Sequence, residues 1–165
     1  MVADRQRRRT PYTRPRNQRL ERELYALAGH ACFFTIRAHG KAEPFTTMDL
    51  NDAMVTVLLA ERERMHMDLY AYCLMPDHLH LLVSPRHDGG SMLTFVDQFK
   101  GKSTNESWQH GWQGKLWQKR SYDHLVCSTE ELLSIAQYIL DNPVRDGLAE
   151  THEDYRWAGM PDQIP

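Results

Sequence analysis

The chain has 165 residues, of which 41% are apolar and 25% are charged. A globular domain of this size buries roughly 70% of its unfolded surface, and this composition excludes an intrinsically disordered or membrane-embedded chain. The formal net charge of −2 conceals an asymmetry. Eight arginines and only two acidic residues fall within residues 1–22, which gives that segment +6 and leaves −8 on the rest.

We divide the chain at this change in charge, into a basic N-terminal arm over residues 1–22 and a single domain over residues 23–165. Arginine pairs with phosphate through two parallel hydrogen bonds, so the arm is typical of a segment that contacts a polyanion. A solvated tail without a partner is the alternative interpretation.

Three cysteines, Cys32, Cys73 and Cys127, lie far apart in apolar runs. An odd number without paired spacing predicts buried thiols in a reducing compartment rather than a disulfide framework. No apolar run has the length of a bilayer span, and no apolar segment follows the arginines as in a secretory signal. We therefore expect a cytoplasmic protein with no membrane partner.

The first half of the domain predicts a strand, a helix and a hairpin, in that order. Residues 31–37 are rich in β-forming side chains and end before a glycine, which indicates a strand. Thr46 or Thr47 is a suitable N-cap for a helix whose apolar residues recur on one face. Residues 69–75 and 78–84 predict antiparallel strands joined by a Pro-Asp turn.

The second half predicts helix, loop, strand and helix. Ser91 is the expected N-cap of a helix that ends near residue 102, and residues 108–120 indicate an ordered loop. A short strand over residues 123–127 leads to a capping box and a third helix. We expect that helix to end at Asn142, because the proline that follows disfavours helical geometry there.

The resulting order, β-α-β-β-α-β-α with a central antiparallel hairpin, fits a ferredoxin-like, split βαβ α+β sandwich. We predict an antiparallel sheet with its helices on one face, and an irregular tail from residue 144 onward. The face that binds ligands would then be the other one, or would be only partly covered, because ligands need access.

Two histidines stand one residue apart at the start of the third predicted strand. Side chains alternate between the faces of a strand, so His78 and His80 share one face. Two imidazoles on one face supply half of a site for a divalent cation such as Mg²⁺ or Mn²⁺. A pair of strand histidines that face solvent is the alternative.

A phenol and an amide lie one helical turn apart near the end of the third predicted helix. Tyr138 and Asn142 are four residues apart, so they share a face of that helix. With the histidines, they indicate a metal-assisted attack by tyrosine on a phosphodiester. Tyr122 is the rival nucleophile, although it lacks an amide one turn on, and an ordinary aromatic at the helix edge is the alternative for Tyr138.

Three tryptophans interleave with glycines and basic residues over residues 108–120. Such a segment is typical of nucleic-acid bases stacked on indoles beside phosphates held by lysine and arginine. A small apolar core beneath a long loop is an equal alternative.

These fragments occur in the order seen in a known family. Residues 77–80 read Asp-His-Leu-His, residues 117–124 contain Trp-Gln-Lys-Arg and Asp-His, and residues 138–148 read Tyr-Ile-Leu-Asp-Asn-Pro-Val-Arg-Asp-Gly-Leu. Over residues 33–157 the chain resembles the single-tyrosine HUH transposases. Within that family it is most similar to the branch associated with repetitive extragenic palindromes (REP).

The resemblance implies roles for four residues. His78 and His80 would form the metal-binding pair, Asn142 would add an amide ligand, and Tyr138 would be the nucleophile. Tyr138 would attack single-stranded DNA, form a 5′-phosphotyrosine and release a 3′-hydroxyl, and the link could later be rejoined. The resemblance also implies DNA hairpins as partners. It is divided on oligomeric state, because some relatives exchange their tyrosine helices between subunits whereas the REP-associated branch tends toward monomers; we expect a monomer, with a homodimer as the alternative.

We expect DNA contacts from the arm arginines and from basic and aromatic residues around the predicted loop, namely Arg7, Arg8, Arg9, Arg14, Arg16, Lys100, Lys102, Trp117, Lys119 and Arg120. The competing hypothesis is a catalytically silent, domesticated DNA- or RNA-binding module with the same fold. A sheet-based RNA binder is a weaker alternative, because the central strands lack the expected aromatic and glycine signature.

Overall fold

A computed structural model describes residues 20–126 and 128–165. In chain order its helices and strands are β1 (Ala31–Arg37), α1 (Met48–Arg64), β2 (Met67–Met75), β3 (His78–Pro85), α2 (Met92–Gln109), β4 (Tyr122–Val126), α3 (Thr129–Leu140), α4 (Asn142–Arg145) and β5 (Ala158–Gly159). Short 3-10 turns occupy Arg22–Ala26, His39–Lys41 and His152–Asp154.

The five strands form one antiparallel sheet in the order β4-β1-β3-β2-β5. The first four strands and the helices between them have the connectivity predicted from the sequence, so the ferredoxin-like α+β class is confirmed. Pro76 and Asp77 alone connect β2 to β3, and this tight hairpin carries the histidines into the middle of the sheet.

Helices cover both faces of the sheet. Phe34 and Ile36 pack with the apolar sides of α1 and α2 on one face, whereas Phe33 and Leu82 pack with α3 on the other. The single helical layer expected from the sequence is therefore corrected. The third helix has an apolar stripe of its own, which includes Ile135 and must also be buried.

The second helix is longer than its apolar pattern indicates, since it runs to Gln109 rather than ending near residue 102. Ser103 and Ser107 face the interior and are fully buried, so polar side chains interrupt the apolar stripe. Their hydroxyls donate hydrogen bonds to carbonyls one turn back, which satisfies them without breaking the helix.

The end of α3 and the C-terminal tail also differ from expectation. The helix ends at Leu140, and Asn142 opens the short helix α4 with Pro143 in its first turn, where a missing N–H costs nothing. The tail is not irregular throughout. Strand β5 pairs with β2, and the Tyr155 hydroxyl donates to the Leu74 carbonyl at 2.7 Å.

Some of the residues singled out in the sequence lie outside the part of the chain that the structure describes. Cys32 and Cys73 are buried, as predicted, whereas Cys127 lies outside the described residues. So do the arm arginines Arg7, Arg8, Arg9, Arg14 and Arg16. None of the described helices combines the length and the apolar character that crossing a bilayer requires.

Candidate active site

The register of the sheet lines up a row of side chains on the face that α3 covers in part. His80 pairs with Cys73 on β2 and with Thr35 on β1, and Thr35 pairs with Tyr122 on β4. Because paired residues in a sheet share a face, all four point toward the α3 side. His78 lies on the same face, two residues before His80.

The two histidines approach each other through corresponding ring atoms. Their Nε2 atoms lie 3.1 Å apart, and their rings are 76° from parallel with centroids at 4.5 Å. His78 Nδ1 is 2.5 Å from Asp77 Oδ1, and His80 Nδ1 is 2.9 Å from Thr35 Oγ1. Both histidines are buried, with exposed fractions of 9% and 5%. The solvent-facing alternative is therefore wrong.

Tyr138 lies beside this pair. Its ring centroid is 5.9 Å from that of His80 and 6.0 Å from that of Phe33, in edge-to-face geometry with both. Phe33 on β1 and His80 on β3 thus hold the half-buried phenol of Tyr138 against the face of the sheet that carries the two histidines. Two segments that are 60 residues apart, at positions 78 and 138, meet in one site.

Arg145 is the site residue to which the sequence analysis gave no role. Its guanidinium carbon is 4.2 Å from the centroid of the Tyr138 ring, and its Nη2 donates to the Tyr138 carbonyl at 2.8 Å. The spacing of seven residues, two helical turns, was a signal for this contact. That signal was hidden by Pro143, which predicted a break between the two residues.

Asn142 is buried at the junction of α3 and α4. Its Nδ2 donates to the carbonyls of Tyr138 at 3.0 Å and Ile139 at 3.4 Å. These bonds commit the amide nitrogen to the end of the helix and leave Oδ1 as the atom able to bind a cation. The ligand role of Asn142 stays a prediction.

The donor set fits a divalent cation. Two nitrogen ligands in adjacent positions of an octahedral ion, each about 2.1 Å from the metal, lie roughly 3 Å apart, which matches the separation of the histidine Nε2 atoms. Among residues 20–126 and 128–165, no group of three or more His, Cys, Asp or Glu side chains is placed to hold an ion. The further protein ligand predicted for this site is the amide of Asn142.

Tyr122, the rival nucleophile, lies on the same face of the sheet. Its ring is 6.5 Å from that of Phe33, which it meets edge-on. Thr35 on β1 stands between Tyr122 and His80 in the row. Strands are about 4.8 Å apart, so the backbones of Tyr122 and His80 are separated by roughly 10 Å. Tyr138 has a direct ring contact with His80, and this favours it as the nucleophile.

Three residues expected to bind DNA have structural contacts instead. Trp117 is only 5% exposed, packs on Phe45, and donates from Nε1 to Ser103 Oγ at 2.8 Å, so no base can stack on it. For this indole the expectation of DNA stacking is corrected, and the core alternative holds. Trp108, by contrast, is 50% exposed.

The two lysines of α2 are also engaged. Lys100 Nζ donates to the carbonyls of Gln118 and Lys119 at 2.6 and 2.9 Å, and so fastens the loop to the helix. Lys102 donates to the buried carboxylate of Glu61 on α1. These contacts within the protein argue against the phosphate contacts expected of Lys100 and Lys102, which stay untested. Lys119 and Arg120 are exposed, and their DNA contacts stay a prediction.

A groove of about 730 Å³ follows α3, and both Tyr138 and Arg145 line it. The carboxylates of Glu130, Glu131 and Asp141 also line this groove and would repel a phosphate. Among the described residues of its lining, Arg145 supplies the positive charge. The approach of a phosphate is therefore most favourable where Arg145 covers the phenol.

Comparison with known proteins assigns the chain to a family. The family model described as "Transposase IS200 like" matches residues 31–142, which is most of the chain. The chain therefore belongs to the IS200-like transposase family. The resemblance inferred from its motifs is confirmed.

Similar proteins carry a more specific name. A Haemophilus influenzae protein (strain KW20/Rd), provisionally named a REP-associated tyrosine transposase, is 26% identical over 142 residues, with 80% of each chain covered. The REP-associated tyrosine transposase of Escherichia coli K12 is 22% identical over 142 residues, covering 84% of this chain and 81% of that protein.

A solved structure shows the same fold. It is a REP-associated tyrosine transposase bound to a REP hairpin, and it matches with a TM-score of 0.71 at 18% sequence identity. The match covers 86% of this chain and 81% of that one. The similarity confirms the arrangement of sheet and helices.

Proposed function

We propose that this chain is a metal-dependent transposase that nicks and rejoins single-stranded DNA through a covalent bond to Tyr138. The observation that carries this proposal is the ring contact of Tyr138 with His80, which brings a nucleophile to a pair of buried imidazoles. The transposase family of the chain supports the same conclusion.

His78 and His80 would hold the cation through Nε2, with Asn142 Oδ1 as the further ligand. Bound there, Mg²⁺ or Mn²⁺ would supply positive charge to a non-bridging oxygen of the scissile phosphate. Imidazole nitrogens suit Mn²⁺ better by ligand softness, whereas Mg²⁺ usually takes oxygen ligands.

The reaction of Tyr138 is a phosphoryl transfer. The phenolic oxygen forms a bond to phosphorus while the bond from phosphorus to the 3′ oxygen of the preceding nucleotide breaks. The phenol loses its proton and the departing 3′ oxygen gains one, so a 5′-phosphotyrosine and a free 3′-hydroxyl result. The reverse attack by a 3′-hydroxyl rejoins the strand without a nucleotide cofactor.

Arg145 would assist this attack. A guanidinium over an aromatic ring stabilises negative charge as it develops on the phenol oxygen. The same side chain is exposed, so its remaining N–H groups can meet a phosphate oxygen.

The proposed substrate is a DNA hairpin with a single-stranded flank. The solved structural relative is bound to a REP hairpin, and two relatives are named for REP elements. We also propose that a monomer suffices, because His78, His80 and Tyr138 meet within one chain.

The test incubates labelled hairpin DNA with the protein and Mn²⁺ or Mg²⁺. We expect a nick that Tyr138→Phe abolishes without loss of hairpin binding, while Tyr122→Phe, the matched control, keeps both. Tight binding without a nick in either metal would contradict the proposal and would favour the catalytically silent binding module.

A further inference from the structure

We propose that Asp77 and Thr35 are positioning residues that fix both imidazoles with Nε2 directed at one point, before any cation arrives. This inference rests on the proposed function, because it concerns the same metal site. It depends on the two Nδ1 contacts, which involve different elements and different chemistry.

Asp77 fixes His78 through the turn between β2 and β3. A carboxylate only accepts hydrogen bonds, so the contact of 2.5 Å with Oδ1 places the ring proton of His78 on Nδ1. The lone pair of His78 is then on Nε2. Arg37, which pairs with His78 across the sheet, reaches the other carboxylate oxygen of Asp77 at 3.6 Å and helps to orient it.

Thr35 fixes His80 from the neighbouring strand. The two residues pair directly in the sheet, so the backbone sets the distance of 2.9 Å between the Thr35 hydroxyl and His80 Nδ1. When the hydroxyl accepts the proton of Nδ1, the lone pair of His80 also lies on Nε2. The ring of Phe33, 5.3 Å away, limits rotation of the imidazole.

Together these contacts direct the two Nε2 atoms at each other across 3.1 Å. Without a cation, a proton on His80 Nε2 can bridge the pair while the Thr35 hydroxyl donates to His80 Nδ1. When a cation binds, that proton moves to His80 Nδ1, where Thr35 accepts it, and both lone pairs face the cation, so the arrangement favours metal binding. Partners that orient metal-binding histidines typically contribute about tenfold to a hundredfold in metal affinity. Asp77 is only partly buried, and its backbone carbonyl independently accepts a hydrogen bond from Ala38 N–H at 2.8 Å, so its side chain can be removed without breaking the turn.

The experiment measures Mn²⁺ affinity by calorimetry, without DNA, for the wild type, Asp77→Ala, Thr35→Val and His78→Ala. Asp97→Ala, an exposed aspartate on α2, is the matched control. Long-range ¹H–¹⁵N NMR of the metal-free protein reports which ring nitrogen of each histidine carries the proton. Circular dichroism checks that each variant is folded.

We expect Asp77→Ala and Thr35→Val each to weaken Mn²⁺ binding about tenfold to a hundredfold. The proton of His78 should lie on Nδ1 in the wild type and redistribute in Asp77→Ala, while Asp97→Ala matches the wild type. The inference is overturned if His78→Ala loses Mn²⁺ while Asp77→Ala and Thr35→Val bind it as the wild type does. If His78→Ala itself keeps wild-type affinity, the proposed metal site fails and this inference fails with it.

Discussion

Arg145 places a positive charge against the ring of Tyr138, 4.2 Å from its centroid. The same guanidinium is tied to the Tyr138 carbonyl, so it is held over the half-buried phenol ring. At the scale of single residues, this contact joins the nucleophile and a phosphate-binding group in one unit. Both lie at the junction of α3 and α4.

We predict that Arg145→Gln lowers the single-turnover rate of hairpin cleavage roughly tenfold, because a cation near an aromatic ring contributes about 1–2 kcal/mol in a partly desolvated site. Arg145→Lys should recover part of the loss. The matched control is Arg156→Gln, since Arg156 pairs with Asp52 and lies outside the groove. An unchanged rate in Arg145→Gln would show that the guanidinium has no part in the attack.

At the scale of single residues, burial of the Cys73 thiol also makes the stability of the fold depend on pH. Desolvation raises the pKa of this thiol to about 12. In the unfolded chain the thiol ionises near its ordinary pKa of about 8.5–9, so the contribution of Cys73 to stability is complete below that pH and declines as the pH rises toward the folded value.

We predict that the free energy of unfolding falls by about 1–2 kcal/mol between pH 8 and pH 10 through this thiol. Denaturant titrations at the two pH values measure the change. In Cys73→Ala the decline should be smaller by that amount. A decline of equal size in the variant would mean that other groups cause it.

At the scale of elements, Glu61 ties α1 to α2. Its carboxylate is buried, and hydrogen bonds from Arg64, and then from Lys102, lower its pKa against the opposing effect of desolvation. A carboxylate with a lowered pKa stabilises the fold above its unfolded pKa, and this contribution is lost as the pH falls through the folded value. Lys102 therefore serves the packing of two helices.

We predict that Lys102→Met lowers the free energy of unfolding by about 1–3 kcal/mol, since it leaves a buried charge with one partner fewer. The affinity for hairpin DNA should not change. Lys119→Met, an exposed counterpart, should weaken hairpin binding and reduce its salt dependence without loss of stability. Chemical denaturation and fluorescence anisotropy at two salt concentrations separate these outcomes, and the reverse pattern would restore Lys102 as a DNA contact.

Local sequence patterns predicted where the helices and strands lie more accurately than how these elements pack against one another. The alternation of side chains in β3 and the Pro-Asp turn determine which face the histidines occupy, and both are local. Periodicity shows which side of α3 is apolar but not which face of the sheet it meets, so periodicity alone did not place α3 on the histidine face. Trp117 was misassigned because its environment, Phe45 and Ser103, comes from distant parts of the chain.

At the scale of the whole molecule, the topology turns two separated motifs into one site. Strand order β4-β1-β3-β2-β5 puts His78 and His80 at the centre of the sheet, where β1 supplies Thr35 and Phe33 from one side. After α2 the chain forms β4 and then α3, and α3 packs on the same face of the sheet as the histidines. The convergence follows from the fold class, whereas the contact of Arg145 depends on the turn between α3 and α4.

The central claim is that Tyr138 becomes covalently linked to DNA, and mass spectrometry of the protein–DNA adduct tests it most directly. Hairpin DNA with a single-stranded flank is incubated with the wild type and Mn²⁺, then digested, and the peptide that carries nucleotide is sequenced. We predict a 5′-phosphotyrosine at Tyr138. Nucleotide on the peptide that contains Tyr122, or complete cleavage without any adduct, would contradict the account.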